Sequence, residues 1–240
     1  MLSNRRVFVR TLLISIASFI ACISLTKAAP SLTVGLLPPS VPTSMPASVA
    51  TKTPAKLTTR TIATFSTQRT SPAAGLAAWG RVYSVLTSPR CINCHTATNY
   101  PQQGDDRHRH VANIVRGPEG KGVPGLNCAS CHQESNADST GVPGGHNWHL
   151  APLEMKWQDL NDRPLSSAAI CRQVTDRSRN HNLDAAGLLK HHEEEALVLW
   201  AWNPGRRPDG SMRTLPPMSH AEFVAATRTW VEAGTPCPRP

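Results

Sequence analysis

The sequence predicts a mostly α-helical domain with long irregular loops, carried behind a basic N-terminal appendage and closed around something other than protein. Three observations point there. The C-terminal third holds windows with helix caps at one end and breakers at the other. Aromatic residues make up only 5% of the chain while proline reaches 21 of 240 residues, too few large side chains to fill a sizeable core unaided. The pentapeptide Cys-x-x-Cys-His occurs twice, at 91–95 and 128–132. No apolar run suits a polytopic membrane protein, and no heptad pattern or internal repeat is present.

The net charge of +9 is unevenly spread. Residues 1–104 carry ten Lys and Arg and no acid, whereas 105–240 carry fifteen bases against sixteen acids. A domain that grips phosphate backbones clusters Lys and Arg on its own helices. Here the basicity belongs to the appendage, and no nucleic-acid partner is expected.

Residues 1–28 have the layout of a secretory signal: a basic start (MLSNRRVFVR), a charge-free stretch over 11–26, and small residues before Ala29. That stretch is shorter than the ~20 residues of a spanning helix, and an uncleaved anchor stays open. Asn4–Val9 resembles a twin-arginine signal and reads equally as an ordinary basic start. Phe19 matches a lipobox poorly at its −3 position, so Cys22 is read as a cysteine of the leader. Residues 29–72 follow as Pro, Thr, Ser and Ala with seven prolines, no acid and no hydrophobic period. Such a segment buries too little apolar surface to offset ordering, and a disordered or extended tether is expected. Residues 73–240 are expected to form the domain, exported to the periplasm, with the linker either a tether to a membrane or partner or a dispensable leader.

Cys91-Ile92-Asn93-Cys94-His95 and Cys128-Ala129-Ser130-Cys131-His132 have the attachment sequence of c-type haem. Two thiols at this spacing reach the two vinyl groups on one porphyrin edge and form thioethers. The adjacent histidine then becomes the proximal iron ligand. Cys91, Cys94, Cys128 and Cys131 are thus the covalent positions, with His95 and His132 on the irons. Zinc gives no reason for a histidine after both pairs, and 33 residues separate the pairs where about 15–20 is usual. A redox dithiol lacks a βαβ context here, and bridges within each pair are strained. The expected fold is a multihaem cytochrome c-like domain built around two covalently attached haems. In an oxidising compartment the remaining Cys171 and Cys237 most simply bridge, and closing that loop contributes about 4 kcal/mol by chain entropy.

The distal ligands decide whether each iron is closed. His108, His110, His146, His149, His181, His191, His192 and His220 remain, with Met155, Met212 and Met218. His110 opens an apolar stretch, Val111 to Val115, that would turn it inward. His149 sits among Trp148, Leu150 and Trp157, a setting suited to haem packing. His191, three positions after Leu188, is a weaker candidate within a run (His191–Glu195) that otherwise reads as a solvated helix face. Residues 117–125 and Pro143-Gly144-Gly145 are turn chemistry, or chain passing close to a porphyrin face.

Helices are expected over 166–178, capped near Ser166, and over 184–202, stopped by Asn203-Pro204-Gly205. Ser219-His220-Ala221-Glu222 is a capping box opening a third, which runs to Ala233 before Gly234 and Pro236.

Residues 91–132, Trp148–Pro152, Leu197–Gly205 and the Gly234–Pro238 close look like a family of exported dihaem cytochromes, often labelled isoquinoline 1-oxidoreductase subunits. The resemblance spans about 75–240. It implies a redox partner, an electron-donating molybdenum hydroxylase that oxidises N-heterocycles or aldehydes, and a downstream electron acceptor. No Fe–S cysteine pattern or pterin signature occurs here, so the chain is not itself that hydroxylase. The expected function is single-electron transfer without substrate chemistry, with no catalytic residue. The rival is a haem enzyme or sensor, peroxidase-like or gas-binding, with one open iron.

Overall fold

A computed structural model describes residues 70–240; the expected leader and nearly all of the expected linker lie outside them. Six α-helices and two minimal hairpins organise the described residues. The helices are α1 (Pro72–Leu86), α2 (Pro89–Ile92), α3 (Ser167–Thr175), α4 (Ala185–Glu194), α5 (Ala196–Trp200) and α6 (His220–Glu232). The hairpins pair β1 (Gln102–Gln103) with β2 (His108–Arg109), and β3 (Gly122–Val123) with β4 (Leu126–Asn127). The described residues are partly helical with short strands, and the glycine- and proline-interrupted chain between α2 and α3 forms no α-helix.

Sequence reasoning assigns no helix at α1, although its signals are local. Ser71 Oγ accepts the Ala74 N–H at 3.2 Å, and Pro72 sits in the first turn, where its missing N–H costs nothing. Trp79, Val82 and Val85 on this helix are fully buried. They meet Ile170 and Val174 of α3 and Phe223 and Trp230 of α6 in one core. Trp79 and Trp230 pack at 4.8 Å between ring centroids, and Trp79 Nε1 donates to Ser167 Oγ at 2.9 Å. Two tryptophans thus meet where α1 crosses α6. Each such ring buries about 150–250 Å², on the order of 4–6 kcal/mol of transfer free energy.

The α3 cap is Ser166, which accepts the Ala169 N–H, but the helix ends at Thr175. The capping box of α6 is present in both directions between Ser219 and Glu222. The single helix expected over 184–202 is instead two, because Glu195 leaves helical geometry at φ −63°, ψ 128°. The break turns Leu197, Val198 and Trp200 onto the wall of a cavity that α4 also lines. Cys171 and Cys237 are joined by a disulfide, Cα atoms 5.6 Å apart, which ties α3 to the chain beyond α6.

The irregular region is held by buried polar side chains. Arg116 donates to the carbonyls of Thr96 (3.0 Å), Thr98 (3.1 Å) and Ala151. Fully buried Gln158 donates to Thr96 Oγ1 at 2.9 Å and Asp162 Oδ1 at 3.1 Å, and Gln102 donates to the same carboxylate at 2.7 Å. The Arg116 bonds satisfy backbone carbonyls that no ladder covers, and the glutamine bonds pair buried side chains. Among the described residues, no helix is long and apolar enough to cross a membrane.

Candidate functional site

Both Cys-x-x-Cys-His segments fold into one helical turn. His95 N–H donates to Cys91 O at 3.1 Å, and His132 N–H donates to Cys128 O at 2.9 Å. This i to i−4 closure brings the two thiols and the imidazole of each motif to one side of the turn. Cys91 belongs to α2, and Asn127 Oδ1 caps the second turn by accepting the Ala129 N–H at 2.9 Å.

Each imidazole is then fixed in the same way. His95 Nδ1 lies 2.7 Å from Met155 O, and His132 Nδ1 lies 2.7 Å from Pro143 O. A carbonyl only accepts, so Nδ1 carries the proton in both rings and Nε2 keeps its lone pair. A tryptophan lies flat on each ring: Trp157 on His95 at 3.4 Å and 3°, Trp148 on His132 at 4.5 Å and 2°. Backbone bonds clamp both arrangements, Trp157 N–H to His95 O and Gly145 N–H to Gln133 O, each 2.8 Å. Burial pushes the His95 pKa down to about 3 and lowers that of His132, leaving both imidazoles neutral at pH 7.

Around the first motif lies a cavity of about 390 Å³, within the range of small-ligand and cofactor sites. Cys91, Cys94 and His95 share its lining with apolar Leu86, Leu188 and Phe223. Desolvation pushes the Cys91 thiol up to about 12 and the Cys94 thiol to about 11. Reactive dithiols have lowered values, so these are not poised for exchange. Two buried donors of lining residues, Arg90 Nε and Trp157 Nε1, have no partner among the described residues. Paired thiols, a ligating lone pair and an apolar cavity together fit a covalently held haem. The second motif is more open: Cys128 is half-buried and Cys131 exposed. It lies near the first, for Trp148 is stacked on His132 and also lines the first cavity.

The distal candidates divide between the sites. The His110 ring stands 5.8 Å from that of His132 at 63°. The reason given for His110 does not hold, since Val111 is 62% exposed and 111–113 form an outward 3-10 turn with positive φ at Ala112 and Asn113. His149 and His191 both line the first cavity, and their charges act on His95. His149 Nδ1 donates to Asn147 O at 2.5 Å. His192 lines the cavity too but is engaged with the core, its Nδ1 2.9 Å from Thr227 Oγ1 and its ring 4.6 Å from Phe223.

The glycine turns are crowded by backbone. A Cβ on Gly120 would stand 2.4 Å from Leu150 O, and one on Gly144 would stand 2.1 Å from Ser135 O. Sequence reasoning missed Asn136, whose Oδ1 accepts the Gly144 N–H (3.0 Å) and Trp200 Nε1–H (3.1 Å) while its Nδ2 donates to Asn203 O (2.8 Å). A lone Asn four residues beyond a motif carries no local signal for such a role.

Among the described residues, no three His, Cys, Asp or Glu side chains are grouped to hold a bare metal ion. Compared with protein families, curated proteins and solved structures, the chain matches none.

Proposed function

We propose that the chain is an exported, N-terminally tethered dihaem c-type cytochrome that passes single electrons and has no substrate chemistry of its own. The observation that carries this reading is a repeated arrangement. Two motifs, 37 residues apart from start to start, each combine paired thiols on one turn, a histidine with Nδ1 bound to a carbonyl, and a tryptophan stacked on that histidine. Zinc or disulfide chemistry has no use for the anchored imidazole; a ring N–H donated to a backbone carbonyl is typical of metal-ligating histidine.

In this reading Cys91 and Cys94 hold one haem with His95 as proximal ligand, and Cys128 and Cys131 hold the other with His132. His110 is the distal ligand facing His132. At the first site His149 and His191, which both line the cavity, are the distal candidates. Once bound, each haem supplies a one-electron iron couple. The protein supplies the rest. Met155 O and Pro143 O hold the tautomers, Trp157 and Trp148 shield the rings, and the thiols keep the cofactor from being lost outside the cytoplasm. The electron donor is a dehydrogenase, of the molybdenum-hydroxylase type by the family resemblance, and the acceptor is respiratory or soluble.

One observation favours the rival with an open iron: His191 is exposed beside a cavity with room for a small ligand. Both readings are decided on protein matured in a host with c-type haem machinery. The expected result is two covalent haems by mass and no carbon monoxide binding after reduction. Carbon monoxide on one haem would shift the function to catalysis or sensing, and no covalent haem would overturn the assignment of the four cysteines.

A further inference from the structure

We propose that Trp148 is the residue that couples the two sites electronically, an inference resting on the dihaem reading above. Its indole lies on His132 within 2° of parallel, and the same indole lines the cavity that holds Cys91, Cys94 and His95. It therefore touches the proximal imidazole of one site and the wall of the other. Its orientation is set from behind. Trp200 meets it edge-on at 4.8 Å and 86°, and Trp200 is held in turn by its Nε1–H donated to Asn136. Asn136 also takes the Gly144 N–H, from the segment whose Pro143 carbonyl anchors His132. One polar side chain thus registers the indole, its neighbour and the imidazole together.

Stacked aromatic faces at contact distance provide orbital overlap that a saturated side chain lacks. Trp148 gives the electron a π path between the first cavity and His132. With a haem held by each motif, one electron would pass from the reduced site to the oxidised one. No bond forms or breaks, no proton moves, and the indole ends unchanged.

The test compares holoprotein carrying both haems as wild type, Trp148→Phe and Trp148→Leu. Haem count by mass and midpoint potentials by redox titration come first. A fast photoreductant then delivers one electron, and its redistribution between the haems is followed optically. Trp148→Leu is expected to slow redistribution by an order of magnitude at unchanged haem count, with Trp148→Phe falling between. Equal rates in all three, after correction for potential, overturn the role of Trp148 and leave the dihaem reading standing. Should the leucine variant fail to mature, Phe against wild type decides: slower supports the role, equal overturns it. A wild-type chain without covalent haem overturns both.

Discussion

His110 and His132 face each other with ring centroids 5.8 Å apart, and each has given its Nδ1–H to a carbonyl, Val111 O and Pro143 O respectively. The two Nε2 atoms are left to ligate. Metal–imidazole bonds of about 2.0–2.1 Å, added to the two ring radii, span roughly this separation. His110→Ala is therefore expected to open one iron: the reduced holoprotein should take up one carbon monoxide per chain where wild type takes none. An unchanged spectrum would remove His110 from the ligand set.

Asp105 links the approach to the first motif with the loop before α6, accepting from Arg90, Arg207 and Thr214. Burial alone would raise its carboxyl pKa, but the Thr214 hydroxyl and the two guanidiniums outweigh that and hold it below the ordinary carboxylate value. Its contribution is thus present above the unfolded value of about 3.9 and lost as pH falls through the lower folded value. The Arg90 side chain is only 4% exposed, so Asp105→Asn strands a buried cation. We expect a loss of about 2–3 kcal/mol in urea unfolding at pH 7, below the 3–5 of a fully buried pair because the carboxylate is 31% exposed. Near pH 3 the difference from wild type should shrink.

Replacing both Cys171 and Cys237 by serine removes the link from α3 to the C-terminal segment. By chain entropy the loss is about 4 kcal/mol, and at about 2–4 °C per kcal/mol Tm should fall by roughly 8–16 °C. Calorimetry of the matured protein checks this. An unchanged Tm would mean the bridge does not form in the protein.

Gly120 has φ +71°, and its carbonyl accepts the Leu150 N–H at 2.9 Å. Gly120→Ala costs about 1–2 kcal/mol for the left-handed backbone alone. The clash with Leu150 O adds to that and disturbs the loop beside Cys128. Lower stability together with incomplete haem attachment at the second motif is the expected outcome, read by denaturant titration and mass.

What was legible in the sequence was local. The paired motifs, the caps at Ser166 and Ser219 and the glycine turns depend on residues within a few positions of one another, and the chain signals them directly. The clamp on His95 joins residues about sixty positions apart, Met155 and Trp157, by a carbonyl and a ring face. Neither leaves a pattern, although Trp148 and Trp157 already stood out around His149. The break at Glu195 was invisible for another reason. No glycine or proline marks it, and only packing of α5 against the cavity separates it from a continuous helix.

Thr70 Oγ1 donates to Glu232 Oε2 at 3.4 Å, and Gly75 faces Ala233 and Pro236 so closely that a methyl group would not fit. The first and last helices thus lie side by side, and the domain's two chain ends leave from the same pole. A C-terminal tag would emerge beside the point where the chain enters the domain at residue 70, so a surface coupled through that tag would hold the domain by the same side as a tether at its N-terminus would. If the dihaem reading holds, this is the end to immobilise in electrochemical work.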